Sequence, residues 1–292
     1  ANTVFVSGIG CSSRLPYYVE TYGFHTIHGR APAIATGVKL ARPDADVWVI
    51  TGDGDGLSIG GNHLMHALRR NVDLNILLFN NEIYGLTKGQ VSPTSKRGTL
   101  SPTTPRGSVA NPISPATMAL GVGARFVARS VDINQAHLVE VLKQAHANAG
   151  TSFVEIFQNC IVFNDATFAD FTDKSVAKET QLLVEHGKPL LFGAERDRGL
   201  RLDPATWTLE VVRPGENGVT SEDVLVHDET NRTLATMLAV LEPPEFPMAL
   251  GVLYRDPAAT FDQQVLAQVE PESEGRGLAD LLYGGRTWKV DD

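Results

Sequence analysis

The polar run Thr-Gly-Asp-Gly-Asp-Gly at residues 51–56 decides the fold, because it directly follows the apolar run Val-Trp-Val-Ile at 47–50. The apolar run predicts a buried strand, and residues 57–70 predict a crossover helix. Residues 74–79 predict a second strand, followed by the pair Asn-Asn at 80–81. Adjacent parallel strands of such a βαβ unit lie about 4.8 Å apart. Both polar loops therefore open at the carboxyl edge of the sheet, where open α/β sheets bind ligands.

The residue types in these loops suit a magnesium ion and a diphosphate group. Mg²⁺ prefers octahedral oxygen ligands at about 2.0–2.1 Å, usually one or two carboxylates together with phosphate oxygens and water. The candidate ligands are the Asp53 carboxylate, the Asn81 amide oxygen and the Ile83 backbone carbonyl. Gly52 and Gly54 allow the backbone to approach a phosphate, because neither carries a Cβ atom. Either motif alone is more often a surface turn, and only their joint placement after two strands favours a functional site.

Composition excludes several classes of protein. The chain has 292 residues, a net charge of −9 and no sustained Lys/Arg run, so we expect it to bind neither nucleic acid nor acidic membranes. No apolar stretch approaches membrane-spanning length, and no secretory signal is visible. The absence of Met before Ala1 suggests a trimmed or processed N-terminus. Two cysteines imply no disulfide framework and fit a reducing cytoplasm.

Strands and helices alternate through residues 1–165, which predicts a doubly wound, mostly parallel α/β sheet. Further strands are expected at 3–7, 24–27, 125–129 and 153–157, and further helices at 32–40, 114–120 and 135–148. The loop at 82–111 is long for a compact domain, and loops of that length are usually functional.

From residue 166 the pattern loosens, and we expect 166–292 to be a C-terminal extension that contacts another subunit. Its expected elements are a helix within 170–185, a strand at 209–212 and a helix at 230–241. The acidic tail, with Gly-Gly at 284–285, is expected to be an arm that lies on another chain.

Five segments together resemble the β subunit of the 2-oxoacid:ferredoxin oxidoreductases. They read Gly-Cys-Ser-Ser-Arg (10–14), His-Thr-Ile-His-Gly-Arg (25–30), Gly-Asp-Gly-Asp (52–55), Asn-Asn-Glu-Ile-Tyr-Gly-Leu-Thr-Lys-Gly-Gln (80–90) and Ser-Pro-Thr (92–94). The resemblance covers residues 1–165, the combination is specific, and the variety that it resembles most acts on 2-oxoglutarate.

The resemblance implies the thiamine diphosphate-binding fold in residues 1–165, with the cofactor held through Mg²⁺ at the carboxyl edge. Asp53, Asn81 and the Ile83 carbonyl match the family's Mg²⁺ ligands. The other positions that match the surroundings of the cofactor are Ser12, Ser13, His28, Gly29, Gly52, Gly54, Asp55, Gly85, Leu86 and Thr87.

Cys11 and Cys160 match two of the four ligands of the family's [4Fe–4S] cluster. Clusters of this type are held by four thiolates. In the family the other pair comes from a Cys-x-x-Cys segment N-terminal to the first strand, and this sequence does not contain that segment. The alternative for either cysteine alone is a buried free thiol that only packs.

The implied reaction is oxidative decarboxylation of a 2-oxoacid with coenzyme A, which yields an acyl-CoA and CO₂. For 2-oxoglutarate the product is succinyl-CoA, and the electrons pass through the cluster to ferredoxin. In the family a glutamate of the α subunit completes the cofactor site, so we expect activity only with that partner, in an α₂β₂ assembly.

Four residues are candidates for contact with the substrate or coenzyme A, namely His28, Arg14, Thr87 and Lys88. His28 has the alternative of a core histidine, and Arg14 that of a surface ion pair. A lysine such as Lys88 on a flexible loop is more often simply solvated.

Several alternatives stay open at the level of sequence. Pyruvate or a branched-chain oxoacid could replace 2-oxoglutarate as the substrate. A non-oxidative thiamine diphosphate-dependent decarboxylase or synthase would share the magnesium motif but would not need Cys11 and Cys160. A non-catalytic scaffold is disfavoured because Asp53 is present, and a dinucleotide-binding dehydrogenase is disfavoured because no Gly-x-Gly-x-x-Gly follows the first strand.

Overall fold

The computed structural model describes residues 2–273, 277–284, 288 and 290. The strands are β1 (Thr3–Ser7), β2 (Tyr22–His25), β3 (Asp46–Gly52), β4 (Asn75–Asn80), β5 (Ile83–Tyr84), β6 (Gln90–Val91), β7 (Phe126–Val131), β8 (Ser152–Phe157), β9 (Gln181–Val184), β10 (Leu191–Phe192), β11 (Arg198–Asp203), β12 (Thr208–Val212) and β13 (Met248–Arg255). The α-helices are α1 (Ala31–Ala41), α2 (Asp53–Leu57), α3 (Gly61–Arg70), α4 (Pro115–Gly121), α5 (Gln135–Ala147), α6 (Ala169–Thr172), α7 (Ala177–Thr180), α8 (Arg232–Ala239), α9 (Phe261–Ser273) and α10 (Leu278–Leu282).

An eight-stranded sheet with the order β2-β1-β3-β4-β8-β7-β13-β9 forms the centre of the protein. All neighbouring strands in it run parallel except the antiparallel pair β13 and β7. Helices α1, α3, α4 and α8 contribute to the core on one face, and α5 contributes to the core on the other. The prediction of a doubly wound, mostly parallel α/β sheet is therefore confirmed.

The side chains of β3 alternate between the two faces of the sheet and so contribute to the core on each face. Val47 and Val49 belong to the core that includes α1 and α3, whereas Trp48 and Ile50 belong to the core that includes α5. Successive side chains of a strand point to opposite faces, so an apolar run with helices on both sides is buried throughout.

Capping side chains fix where several of the helices begin. Ser114, Asn134 and Asn231 precede α4, α5 and α8, and each accepts a hydrogen bond from the backbone N–H three residues on. A cap of this kind satisfies one of the otherwise unpaired donors of the first helical turn.

The central βαβ unit forms as predicted, with one difference in its helix. The helix predicted at 57–70 is divided into α2 and α3, and Asp53 is the first residue of α2 rather than part of a loop. The break falls at Gly60, where a Cβ atom would lie 2.5 Å from the carbonyl oxygen of Asp55. Strand β2 also lies two residues earlier than the predicted strand at 24–27.

The C-terminal half contributes to the same sheet as residues 1–165. Strand β13 pairs with β7, and β9 pairs with β13, so the boundary expected at residue 165 does not separate two sheets. Strands β10, β11 and β12 form a separate three-stranded antiparallel sheet. The strand predicted at 209–212 and the helix predicted at 230–241 are present as β12 and α8.

The helix predicted within 170–185 is present only as two short helices, and a strand follows them. Residues 169–184 form the short helices α6 and α7 and then β9. A turn interrupts the helix because the Asp173 carboxylate accepts hydrogen bonds from the backbone N–H and the hydroxyl of Ser175. In the predicted tail, Gly284 is described and Gly285 lies outside the described residues.

No helix within the described ranges has both the length and the apolar character needed to cross a membrane.

A buried histidine makes the stability of the protein depend on pH. His227 is 1% exposed, and its Nε2 lies 2.8 Å from the carbonyl oxygen of Val252, to which it donates. Burial lowers the pKa of His227, and also that of His137, below the ordinary 6.5. Below that pH the unfolded chain takes up protons that the folded protein does not.

We therefore expect the free energy of unfolding to fall as pH drops below 6.5, by up to about 1.4 kcal/mol per pH unit for each histidine. His227→Gln should reduce this slope in urea unfolding between pH 7.5 and 5.5 (about one pH unit on either side of the ordinary value). An unchanged slope in His227→Gln would contradict the assignment of this pH dependence to His227.

Candidate active site

The carboxyl ends of β1, β3 and β4 enclose a cavity of about 60 Å³. Its lining comes mostly from segments that the sequence singled out: Ile9, Gly10, Cys11, Ser12, His28, Gly52, Asp53, Gly54, Asp55, Phe79, Asn81, Ile83, Tyr84, Gly85, Leu86 and Thr87. Of the predicted site residues, Ser13, Arg14, Gly29, Lys88 and Cys160 do not line it.

Asp53 is a buried carboxylate at the end of β3, only 2% exposed. Its Oδ2 accepts hydrogen bonds from Ser92 Oγ at 2.5 Å and from Thr94 Oγ1 at 2.6 Å. Burial raises its pKa even though these hydrogen bonds act in the opposite direction. Both donors are neutral, and no ion pair within the described ranges includes Asp53. A buried carboxylate with no counter-charge fits the ligand of a cation.

The other two predicted cation ligands follow β4, which neighbours β3 in the sheet. The side-chain oxygen of Asn81 accepts a hydrogen bond from the backbone N–H of Ile83 at 3.3 Å. The Asn164 amide donates to the backbone carbonyl of Asn81 at 3.0 Å and holds it in place. Ile83 begins the short hairpin of β5 and β6. The structure thus brings Asp53, Asn81 and Ile83 to one cavity, and their binding of Mg²⁺ stays a prediction.

Asp55 connects three loops around the cavity. Its Oδ1 accepts hydrogen bonds from the backbone N–H groups of Gly29 and Ile9, at 2.7 and 3.2 Å. His28 Nδ1 lies 2.7 Å from the same oxygen, and the Thr51 hydroxyl donates to Oδ2 at 2.6 Å. The carboxylate of Asp55 is therefore used within the protein, whereas that of Asp53 accepts from two hydroxyl groups, lies near the backbone N–H of Gly54 and borders the cavity.

Two serines have hydroxyl groups that the protein leaves unused. The Oγ atoms of Ser12 and Ser13 are buried and, in the part of the chain that the structure describes, have no hydrogen-bond partner. Ser12 lines the cavity. Because buried polar groups are normally hydrogen-bonded, an unpaired hydroxyl here fits a bound phosphate oxygen.

Two glycines are required by close contacts around the cavity. A Cβ atom on Gly54 would lie 2.2 Å from the ring of Tyr84, whose hydroxyl donates to the Gly54 carbonyl at 3.0 Å. Gly29 has φ +72°, and a Cβ atom there would lie 2.5 Å from the backbone nitrogen of Gly60. The loop after β2 and the break between α2 and α3 therefore meet backbone to backbone.

Gly29→Ala should lower the free energy of unfolding by more than about 2 kcal/mol, because left-handed backbone alone costs about 1–2 kcal/mol and the new methyl group meets main chain. The matched control is Gly37→Ala in α1, where nothing lies within 4 Å of the new atom. That change should stabilise the protein by about 0.5–1 kcal/mol. Urea unfolding measures both, and equal stability of the two variants would contradict the prediction.

The two cysteines meet on one side of Gly85. A Cβ atom on Gly85 would lie 3.3 Å from Cys11 Sγ and 3.6 Å from Cys160 Sγ. Burial and the neighbouring Cys160 raise the pKa of Cys11, and Arg14 opposes this effect. Cys11 is exposed and Cys160 half-buried, unlike thiols that only pack. Within the described ranges no cluster of three or more His, Cys, Asp or Glu side chains could hold a metal.

The remaining candidates for substrate contact lie around the cavity and not all in it. Arg14 belongs to the 3₁₀ helix Ser12–Tyr17, and its guanidinium donates to the Tyr18 hydroxyl at 2.8 Å. The Thr87 hydroxyl contacts the Gln90 side chain. Lys88 is exposed with φ +75°. His28 and Thr87 line the cavity, whereas Arg14 and Lys88 do not.

The sequence did not predict which side chains donate hydrogen bonds to Asp53. Ser92 and Thr94 belonged to a quoted motif, but their placement on Asp53 was not predicted. Glu82, with φ +55°, lines a second cavity of about 130 Å³ on the other side of Asn80, and burial raises its pKa to about 7. The one signal available in the sequence was the length and polarity of the loop at 82–111.

Comparison with known proteins adds an independent line of evidence. Residues 8–156 match the family described as thiamine pyrophosphate enzyme, C-terminal TPP binding domain. The chain is 47% identical to the 2-oxoglutarate oxidoreductase subunit KorB of Mycobacterium tuberculosis, over 99% of this chain and 79% of that protein. It is 48% identical to the 2-oxoglutarate synthase subunit KorB of Methanocaldococcus jannaschii, over 54% of this chain and 58% of that protein.

One solved structure matches over nearly the whole chain. It is 2-oxoglutarate:ferredoxin oxidoreductase from Magnetococcus marinus with 2-oxoglutarate, coenzyme A and succinyl-CoA bound. The TM-score is 0.74 and the identity 34%, and the match covers 98% of this chain and 83% of that chain.

Proposed function

This chain belongs to the β subunits of the 2-oxoglutarate:ferredoxin oxidoreductases, within the thiamine pyrophosphate enzymes, and on that basis we propose its reaction and the roles of its residues. The reaction is oxidative decarboxylation: 2-oxoglutarate, coenzyme A and two oxidised ferredoxins give succinyl-CoA, CO₂, two reduced ferredoxins and a proton. The observation that carries this proposal is the position of Gly85, which lines the cavity and at which a Cβ atom would lie within 4 Å of both cysteine sulfur atoms.

We assign the cation and the diphosphate to the cavity at the carboxyl edge. Asp53, Asn81 and the Ile83 carbonyl would hold Mg²⁺, and the Ser12 hydroxyl and the backbone at Gly52 and Gly54 would face the diphosphate. The uncompensated carboxylate of Asp53 and the unpaired hydroxyl of Ser12 support this assignment. Bound thiamine diphosphate supplies a nucleophilic carbon and an electron sink for decarboxylation.

His28 is our candidate for proton transfer beside the reacting carbon. Asp55 Oδ1 lies 2.7 Å from Nδ1 of the ring, a close contact without hydrogen-bond geometry, and we assign Nε2 to the substrate. Thr87 would contact the substrate from the opposite loop, and Arg14 and Lys88 would bind carboxylate or phosphate groups from the rim.

For the electron acceptor we propose a [4Fe–4S] cluster beside Gly85. Cys11 and Cys160 would supply two of its four thiolates, and a Cys-x-x-Cys pair N-terminal to β1 would supply the others in the complete protein. The proximity of both sulfur atoms to one residue of the cofactor cavity supports transfer over a short path.

We also propose that the enzyme is an α₂β₂ assembly in the cytoplasm, active only with its α subunit. Exposed apolar side chains at Ile27, Ile59 and Leu86 stand beside the cavity, which supports a partner that covers its mouth. Residues 166–292 are proposed to take part in subunit contacts, and the exposed Trp207 supports this role.

The test is the composition and activity of the full-length protein purified anaerobically with its natural partner. We expect one thiamine diphosphate and about four irons per chain, and reduction of ferredoxin that requires both 2-oxoglutarate and coenzyme A. Thiamine diphosphate without iron would instead support the non-oxidative decarboxylase or synthase. Faster turnover of pyruvate or a branched-chain oxoacid than of 2-oxoglutarate would overturn the assignment of 2-oxoglutarate as the substrate.

A further inference from the structure

Two side chains of the turn at residues 92–95 donate hydrogen bonds to one carboxylate oxygen of Asp53. Ser92 and Thr94 both donate to Oδ2, and the two residues are only 8% and 4% exposed. Ser95 fixes the turn, because its hydroxyl accepts from the Ser92 backbone N–H at 2.8 Å and donates to the Glu82 carbonyl at 2.5 Å. The two hydroxyl groups are therefore placed by the backbone of the turn.

A buried network holds Thr94 from the other side. Arg129 Nε donates to Glu155 at 2.8 Å, and the Asn80 amide nitrogen donates to the other oxygen of Glu155 at 2.8 Å. The amide of Asn80 is thereby oriented with its oxygen 3.0 Å from Thr94 Oγ1, where it is the more distant of two acceptors for the single proton of that hydroxyl. Since both members of the ion pair are almost fully buried, the position of the Thr94 hydroxyl is set by side chains that cannot easily move.

This arrangement leaves Asp53 with one oxygen for a cation. Oδ2 already accepts two hydrogen bonds, so a cation that used both carboxylate oxygens would displace buried donors and leave them without a partner. Mg²⁺ takes six ligands in a strict octahedron, whereas Ca²⁺ takes six to eight and often binds a carboxylate through both oxygens. A carboxylate limited to one oxygen suits Mg²⁺ better.

We infer that Ser92 and Thr94 are positioning residues that restrict Asp53 to one-oxygen coordination and so make the site select Mg²⁺ over Ca²⁺. The inference rests on the proposed function, which places a cation at Asp53. Neither residue touches the substrate or the cofactor in this assignment.

The test uses the complete enzyme, with its partner and stripped of metal, and measures the Kd of Mg²⁺ and of Ca²⁺ at saturating thiamine diphosphate. Thr94→Val keeps the shape of the side chain and removes the hydroxyl. We expect the affinity for Mg²⁺ to fall about 10–100-fold, as for other residues that orient a metal ligand, and that for Ca²⁺ to fall less. Thr94→Ser should restore the preference of the wild-type enzyme.

The matched control is Thr104→Val, since the Thr104 hydroxyl bonds Ser101 in the same long loop. It should leave both affinities unchanged. Equal losses for the two cations in Thr94→Val, or no loss for either, would overturn the inference, because a purely structural role changes both alike. If Thr94→Val does not fold, Ser92→Ala applies the same test to the second hydroxyl.

The same measurements separate this inference from the proposed function. A wild-type enzyme that binds neither cation with thiamine diphosphate would overturn both. A wild-type enzyme that binds Mg²⁺, with variants that keep its preference for Mg²⁺ over Ca²⁺, would overturn the selection by Ser92 and Thr94 alone.

Discussion

Asp53→Asn should abolish Mg²⁺-dependent binding of thiamine diphosphate and at the same time stabilise the cofactor-free protein. The substitution removes the negative charge that we assign to the cation and keeps the shape of the side chain. Loss of residues that merely orient a metal ligand weakens binding about 10–100-fold, so loss of the charged ligand itself should exceed about 100-fold. Titration of the metal-stripped enzyme with thiamine diphosphate, with and without Mg²⁺, measures this effect.

The gain in stability follows from the burial of the same carboxylate. The pKa of Asp53 is raised in the folded protein, so its ionisation at neutral pH favours the unfolded chain. Asparagine has no charge to bury, and we expect the free energy of unfolding in EDTA to rise by about 1–3 kcal/mol. Asp53→Ala should lose cofactor binding too, but without this gain, since Ser92 and Thr94 would lose their acceptor. Undiminished Mg²⁺-dependent binding in Asp53→Asn would refute the metal assignment.

Cys160→Ser in the full-length protein should eliminate the visible absorbance of the cluster and reduce electron transfer to ferredoxin to below about 1% of wild type. Clusters of this type are held by four thiolates, and a serine hydroxyl, which stays protonated at neutral pH, is a far poorer ligand of iron. Cys11→Ser should have the same effect, because the two sulfurs flank the same residue.

Binding of thiamine diphosphate provides the internal control for both cysteine variants. Cys160 does not line the cavity, so Cys160→Ser should still bind the cofactor with Mg²⁺. Full iron content in Cys160→Ser would show that this cysteine is structural. Loss of the cofactor together with the iron would instead indicate that the variant has unfolded, which circular dichroism would detect.

Local patterns explain why the centre of the fold could be predicted. The apolar run at 47–50, the polar run at 51–56 and the run at 74–79 lie within one βαβ unit, whose handedness and parallel pairing follow general rules. Asp53 and Asn81 come together for that reason alone. Sequence could not show that Asn80, beside Asn81, faces Glu155 instead of the cavity, because that depends on a strand about 75 residues further along.

The C-terminal half was harder to predict, because its strand β13 pairs with a strand that is distant in the sequence. Strand β13, with the sequence Met-Ala-Leu-Gly-Val-Leu-Tyr-Arg, was not predicted, although Pro247 and Pro257 bound it on either side. An apolar run does not identify the strand with which it pairs, and β13 pairs with β7, more than a hundred residues earlier. The positions of Ser92 and Thr94 could not be predicted either, because the loop that carries them has no hydrophobic periodicity.

The pairing of β13 with β7 also bears on how the chain folds during synthesis. All six residues of β7 are buried in the finished sheet, yet the edge that β13 covers stays open until residue 255 has left the ribosome. Translation from the end of β8 at residue 157 to residue 255 takes roughly 5–20 s at about 5–20 residues per second. For that time the nascent chain exposes an unpaired, apolar strand edge, the kind of surface on which chains aggregate and chaperones act. Residues 8–156, the part matched by the thiamine pyrophosphate family, do not include the strand that covers this edge of β7.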